Sequence, residues 1–159
     1  MKCRILVEQK LITEEKFSVA PMMEWTDKHC RYFHRLLSNS SVLYTEMISA
    51  DAIIYGSRHK LLNFNNEELP CVLQLGGNDP KKLSLAAKFG QSYGYSKINL
   101  NIGCPSNRVQ NGSFGACLMK TPKLVSECVR AMQDVIQLPI TIKCRIGVDD
   151  MDEVKGLDD

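Results

Sequence analysis

Five short apolar segments in this chain alternate with stretches of helical spacing, and that rhythm restricts the fold more than any other feature. Strands fit at 17–21, 42–48, 71–75, 97–102 and 140–146, and four of them are closed by glycine or proline. Between them lie helical patterns at 26–37, over a short span at 50–57, at 79–93 and from 121 to about 136. Asp79-Pro80 and Thr121-Pro122 read as helix caps followed by proline at the first helical position, and Gly94 is a stop signal. Thr26 reads as the cap of the first helix, with Phe33, Leu36 and Leu37 as its apolar stripe. Residues 63–68 read as polar loop. Strand and helix in turn predict βα units and a parallel sheet, either open and doubly wound or curled into a barrel.

The strands' polar residues decide for the barrel. Gln74 shares a face with Val72, Asn99 with Asn101, and Thr141 with Lys143 and Arg145, while the opposite faces are apolar. A parallel strand covered by helices normally reads apolar on both faces. Three strands with amides and cations on one face must satisfy them somewhere. An antiparallel sheet with one wet face would do so, but the intervening helices speak against it. The better solution is a barrel mouth whose polar face meets a polar ligand.

At 159 residues, with 44% apolar and 24% charged residues, the chain makes one domain with a real core. No apolar run approaches the roughly 18 residues of a membrane span. The first residues acquire an acid too early for a secretory leader, so a cytoplasmic protein is expected. Seven cysteines without Cys-x-x-Cys or zinc-finger spacing give no metal site and no disulfide framework. The net charge of +2 permits nucleic-acid binding without indicating it. The small basic groups, Arg31 with Arg35, Arg58-His59-Lys60 and Lys81-Lys82, read as solvated surface.

Chemistry concentrates at the strand ends. Cys104 follows the fourth strand in the run Asn99-Leu-Asn-Ile-Gly-Cys-Pro105, just past its carboxyl end, where parallel α/β proteins place ligands. Glycines at other strand ends let backbone approach a ligand. Lys143 offers a fixed positive charge and Gln74 both a donor and an acceptor. That set suits a flat heterocycle that becomes anionic on reduction, such as a flavin. Cys117 and Cys144 read as structural, His29 and His34 as packing or surface residues. Asn99 is open between orienting its neighbours and bonding other strand ends, and Lys143 could instead pair with Glu46.

In order along the chain, Ala20-Pro-Met22, Trp25-Thr-Asp27, Leu73-Gln-Leu-Gly-Gly77, Asn99 to Ser106, and the run from Arg108 to Met119 resemble the FMN-dependent tRNA-dihydrouridine synthases, most closely the bacterial A type. The resemblance spans about 17–150 and implies a TIM (β/α)8 barrel with FMN at its carboxyl mouth, followed by a helical domain that grips tRNA. It implies NADPH-dependent reduction of a tRNA uridine to 5,6-dihydrouridine in the D-loop, with Cys104 protonating C5. By the same resemblance Pro21, Met22 and Met23 line the flavin through their backbone, Gln74 contacts the ring and Lys143 sits at its charge-bearing edge. Asn101 faces flavin and substrate base. Arg108 meets RNA phosphate, on a loop hinged at Gly112 and Gly115.

Five βα units are visible where such a barrel has eight. The expectation is an amino-terminal extension at 1–16 and, from 17 to 159, the amino-terminal portion of the barrel. The carboxyl-terminal strands and the tRNA-binding domain would be absent. Such a half barrel should expose edges that favour self-association, bind FMN weakly and not turn over alone. An FMN barrel reductase of a free pyrimidine and a noncatalytic RNA-binding remnant are the alternatives.

Overall fold

The computed structural model describes residues 17–106, 109 and 112–149. The extension at 1–16, Arg108 and the tail from 150 lie outside the described residues. The elements run β1 (Ser18–Val19), α1 (Lys28–Leu37), β2 (Val42–Ser49), α2 (Ala50–Tyr55), α3 (Arg58–Leu62), β3 (Cys71–Gly76), α4 (Pro80–Ser92), β4 (Lys97–Asn101), α5 (Pro122–Gln133) and β5 (Ile140–Lys143). Two 3-10 turns, Asn66–Glu68 and Gly115–Lys120, complete the set.

Every strand pairing is parallel, and the spatial order of the strands is the chain order, β1 to β5. A doubly wound sheet reverses its order at a switch point, whereas an unbroken sequential order curls one way. The result is a half-barrel, an incomplete TIM barrel, and the antiparallel alternative is excluded. Leu73, Leu75, Ile98 and Leu100 form the outer face, packed with Leu83, Ala86 and Ala87 of α4 and Val125, Cys128 and Met132 of α5. Gly90 brings α4 close to the sheet, since a Cβ there would lie 2.7 Å from Ile98 and Leu73 side chains.

The first helix departs from expectation. Asp27, not Thr26, caps α1, its Oδ1 accepting from the Cys30 N–H at 2.8 Å. Thr26 is buried and exchanges hydrogen bonds with the Met22 backbone instead. Phe33, Leu36 and Leu37 are 58%, 67% and 69% exposed, so the expected stripe faces outward. Arg31 and Arg35, expected on the surface, are the buried residues of α1. The reason is Glu68, which lies in the stretch expected to be plain polar loop but is fully buried. Its Oε2 accepts from Arg31 Nε at 2.6 Å, and its backbone carbonyl accepts from Arg35. Apolar periodicity misleads wherever a buried ion pair supplies the contact. Thr121 sits at the N-cap of α5 with proline behind it, as expected, but its side chain makes no cap hydrogen bond and its hydroxyl donates to the Leu118 carbonyl at 3.3 Å.

Burial raises the Cys71 thiol to about 12 and the Cys128 thiol to about 11. A raised folded-state pKa gives stability that is complete below the unfolded value of about 8.5 and is lost as pH climbs towards the folded one. The urea midpoint should therefore fall between pH 8 and pH 10, and Cys71→Ala should flatten that fall. An unchanged slope in the variant would refute the assignment.

Candidate functional site

The carboxyl ends of β1 to β5 gather along one rim. After β1 the chain turns tightly: the Met22 carbonyl accepts from the N–H groups of Trp25 and Thr26, and Glu24 sits at φ 65° with its N–H donating to the Glu46 carboxylate. Glu46 thus braces this loop, and Lys143 makes no pair with it. Met22 has both backbone groups engaged with its own loop. The side chains of Met22 and Met23 are exposed, as is Trp25 at 72%.

The inner face of the sheet holds a line of hydrogen-bonded amides. Register places Gln74 opposite Asn99, Asn99 opposite Thr141 and Asn101 opposite Lys143. Gln74 Nε2 donates to Asn99 Oδ1 at 2.7 Å, and Asn99 Nδ2 donates to Thr141 Oγ1 at 2.9 Å. Asn101 Nδ2 donates to Gln74 Oε1 at 3.0 Å. At the other end Asn101 Oδ1 accepts from the N–H groups of Gly103 (3.1 Å) and Cys104 (2.9 Å). The Gln74 N–H itself donates to Thr45 Oγ1 at 3.0 Å, beside a register shift between Tyr44 and Met47 in β2. The bulge removes a ladder partner and the threonine hydroxyl replaces it.

Cys104 is half-buried, three residues beyond β4, with its Sγ 3.5 Å from Ser106 Oγ. Its carbonyl accepts from Ala116 N–H at 3.0 Å. Gly115, at φ 64°, permits this: a Cβ there would lie 2.6 Å from the Cys104 oxygen and 2.3 Å from Val109. Gly115 thus packs closely at the base of the loop. Phe114 plugs the loop against Met47 and Gly76, and Asn78 Nδ2 donates to the Ser113 carbonyl at 3.1 Å. From the far side Arg145 Nε donates to the Gly103 carbonyl at 2.6 Å, and β5 ends at Lys143, short of the expected 146.

A cleft of about 920 Å³ opens towards the helices, lined by Asp27, Lys28 and His29 near α1 and by His59 and Lys60 of α3, and it reaches Met23, Glu46, Ser106 and Phe114; Gln74, Asn101, Cys104 and Lys143 do not line it. Met23 and Ser106, the neighbour of Cys104, therefore share one space. Gln74 and Asn101 are joined directly, Lys143 stands exposed beside Asn101, and Pro21 and Met22 lie on the loop after β1. Arg108 lies outside the described residues. The donor set fits a flavin ring: the Gln74 and Asn101 amides each spend one N–H on the line and keep one, and Lys143 adds positive charge. Among the described residues no group of His, Cys, Asp or Glu could hold a metal ion, and no helix is long and apolar enough to cross a membrane.

The family model described as dihydrouridine synthase (Dus) matches residues 18–156. The chain belongs to the dihydrouridine synthase family. Among curated proteins it is 56% identical over 144 residues to the tRNA-dihydrouridine(20/20a) synthase of Vibrio parahaemolyticus, covering 91% of this chain and 44% of that protein. The protein of the same name from Xanthomonas campestris is 59% identical over 138 residues, 87% of this chain and 41% of the relative. That of Escherichia coli is 56% identical over 144 residues, 91% and 41%. The chain spans less than half the length of these relatives. Within the dihydrouridine synthase corner, sequence reasoning missed Thr45, Thr141 and Arg145 as partners of Gln74, Asn99 and Gly103. Alternation had put Asn99 and Thr141 on polar faces, but only the register makes them neighbours.

Proposed function

We propose that this chain forms the catalytic corner of an FMN-dependent tRNA-dihydrouridine synthase, in which Cys104 is the acid. The observation that carries this is the grip of Asn101 Oδ1 on the Gly103 and Cys104 N–H groups, which holds a half-exposed thiol at the end of an amide-lined strand. Pro21, Met22, Met23, Gln74 and Lys143 would hold FMN, Met22 through its side chain. Bound there, FMN supplies hydride from NADPH to C6 of the uridine. Cys104 gives its proton to C5, so one hydride and one proton saturate the C5–C6 bond and the thiolate regains its proton from water. A cysteine thiol is mostly protonated near neutral pH yet acidic enough to do this. Asn101 orients the base, which must leave its stack to present a face. Arg108 would meet tRNA phosphate. A tRNA-modifying role places the protein in the cytoplasm.

Because the chain alone is expected not to turn over, the test grafts residues 17–149 in place of the matching portion of the Escherichia coli relative, incubates that chimaera with FMN, NADPH and tRNA, and in parallel with uracil, and quantifies reduced pyrimidine by mass spectrometry. Dihydrouridine in tRNA supports the reading. Dihydrouracil alone would assign a free-pyrimidine reductase. Salt-dependent tRNA retention with neither product nor flavin absorbance would assign a noncatalytic RNA-binding remnant.

The outer edges of β1 and β5 have no partner strand among the described residues. Such edges pair readily with another chain, and a second copy of this chain is the proposed occupant. Sedimentation velocity should show the mean mass rising between about 5 and 100 µM. A monomer throughout would refute it.

A further inference from the structure

The line of amides has a direction, and both of its ends set it. At the Cys104 end, two backbone N–H groups demand an acceptor, so Asn101 must turn its oxygen to them and its nitrogen to Gln74. Gln74 then has to offer its oxygen to Asn101 and its nitrogen to Asn99. Asn99 has to offer its oxygen to Gln74, and its nitrogen is left pointing at Thr141. Thr141 Oγ1 accepts that donor. Gln74, Asn99 and Asn101 are all buried, so the groups of the line that face one another must satisfy one another. The three strands β3 to β5 are thereby joined through side chains, from Thr141 to the Cys104 backbone.

We propose that Asn99 and Thr141 are positioning residues that lock this direction and thereby hold the Cys104 turn. With no acceptor at 141, the Asn99 amide loses its reason to face that way. Turned over, it would present nitrogen to the nitrogen of Gln74, and Gln74 could relieve that clash only by turning its own nitrogen towards the nitrogen of Asn101. Asn101 could answer only by withdrawing its oxygen from the Cys104 N–H. A fault at β5 therefore travels three side chains to the thiol. Hydroxyl chemistry at 141 is what matters, so serine should serve and the near-isosteric valine should not. The importance of the lock rests on Cys104 being the working acid, but its existence does not.

The test reads the thiol, not turnover, so the two ideas can fail separately. The intact chain is alkylated with iodoacetamide at pH 8, and each cysteine is followed by peptide mass spectrometry in the wild type, Thr141→Val and Thr141→Ser. Thr141→Val should speed alkylation of Cys104 about fivefold, the worth of one net hydrogen bond, while Cys71 and Cys128 keep their wild-type rates. Thr141→Ser should stay within about twofold of wild type, because it restores the acceptor. The proposal is overturned if Cys104 in Thr141→Val reacts at the wild-type rate, or if serine behaves like valine. It is also overturned if the fully buried Cys71 and Cys128 accelerate along with Cys104, since that reports general loosening. Should the valine variant not fold, Thr141→Ala makes the same removal with less bulk and is read by the same criteria.

Discussion

Replacing Cys104 by alanine should lower dihydrouridine formation by about 10²- to 10⁴-fold, the usual worth of a positioned proton donor. The background for this measurement is a chimaera in which residues 17–149 replace the matching portion of the Escherichia coli relative, which is 56% identical over the aligned stretch. Hydride uptake at C6 leaves negative charge at C5 that only a nearby acid can quench. The Asn101 bonds to Gly103 and Cys104 N–H groups fix where that acid stands. NADPH-driven bleaching of the flavin should be unaffected, because no proton donor is needed at C5 in that half of the cycle. Reoxidation of the reduced flavin by tRNA should be what fails. Cys104→Ser should fail almost as badly, since a hydroxyl keeps the size and hydrogen bonding but is a far weaker acid. A serine variant within about threefold of wild type would remove Cys104 from its role as acid.

Glu68→Ala should cost about 3–5 kcal/mol of folding stability, a large share of the roughly 5–15 kcal/mol a domain possesses. Glu68 is fully buried and Arg31 nearly so. One carboxylate oxygen takes Arg31 Nε at 2.6 Å, and the other takes the Asn65 backbone and side-chain N–H groups at 2.8 and 3.2 Å. Without Glu68 the Arg31 guanidinium remains buried and uncompensated, which is the expensive way to break such a pair. Replacing both partners by apolar residues, Arg31→Met with Glu68→Leu, should recover most of the loss, because two desolvation costs vanish together. Urea unfolding followed by far-ultraviolet circular dichroism gives both values. A single-variant cost below about 1 kcal/mol would mean the pair is more hydrated than its burial implies. The consequence reaches the site, since Arg31 also donates to the Thr26 carbonyl at 2.8 Å and Thr26 anchors the Met22 turn. The variant should therefore disturb the loop that would face the flavin even where it folds.

Legibility in the sequence followed the range of the interactions. The parallel βα order, the helices at Pro80–Ser92 and Pro122–Gln133, and the position of Cys104 beyond β4 were all readable, because each rests on local periodicity or on a residue with restricted backbone. The polar faces of β3, β4 and β5 were also visible, and they pointed rightly to a curled sheet. The failures came where a distant partner decided the outcome. Thr26 looked like a cap until the Met22 turn claimed its hydroxyl, and Arg31 looked solvated until Glu68 arrived from 37 residues away. The close approach of Gly115 to the Cys104 carbonyl was likewise unreadable, since it is a contact eleven residues back.

By itself, then, the sequence determined that a thiol ends an amide-bearing strand in a parallel α/β chain of the dihydrouridine synthase family. Side-chain alternation and strand-end glycines act within a few residues, so they are written locally. Only the tertiary structure decided which amide faces which, that Thr141 supplies the terminal acceptor, and that a buried Arg31–Glu68 pair replaces the apolar face of α1. Those are matters of register and of burial. Shifting a strand by one residue would reverse every face, and the cost of an unpaired buried charge selects partners that no local pattern announces.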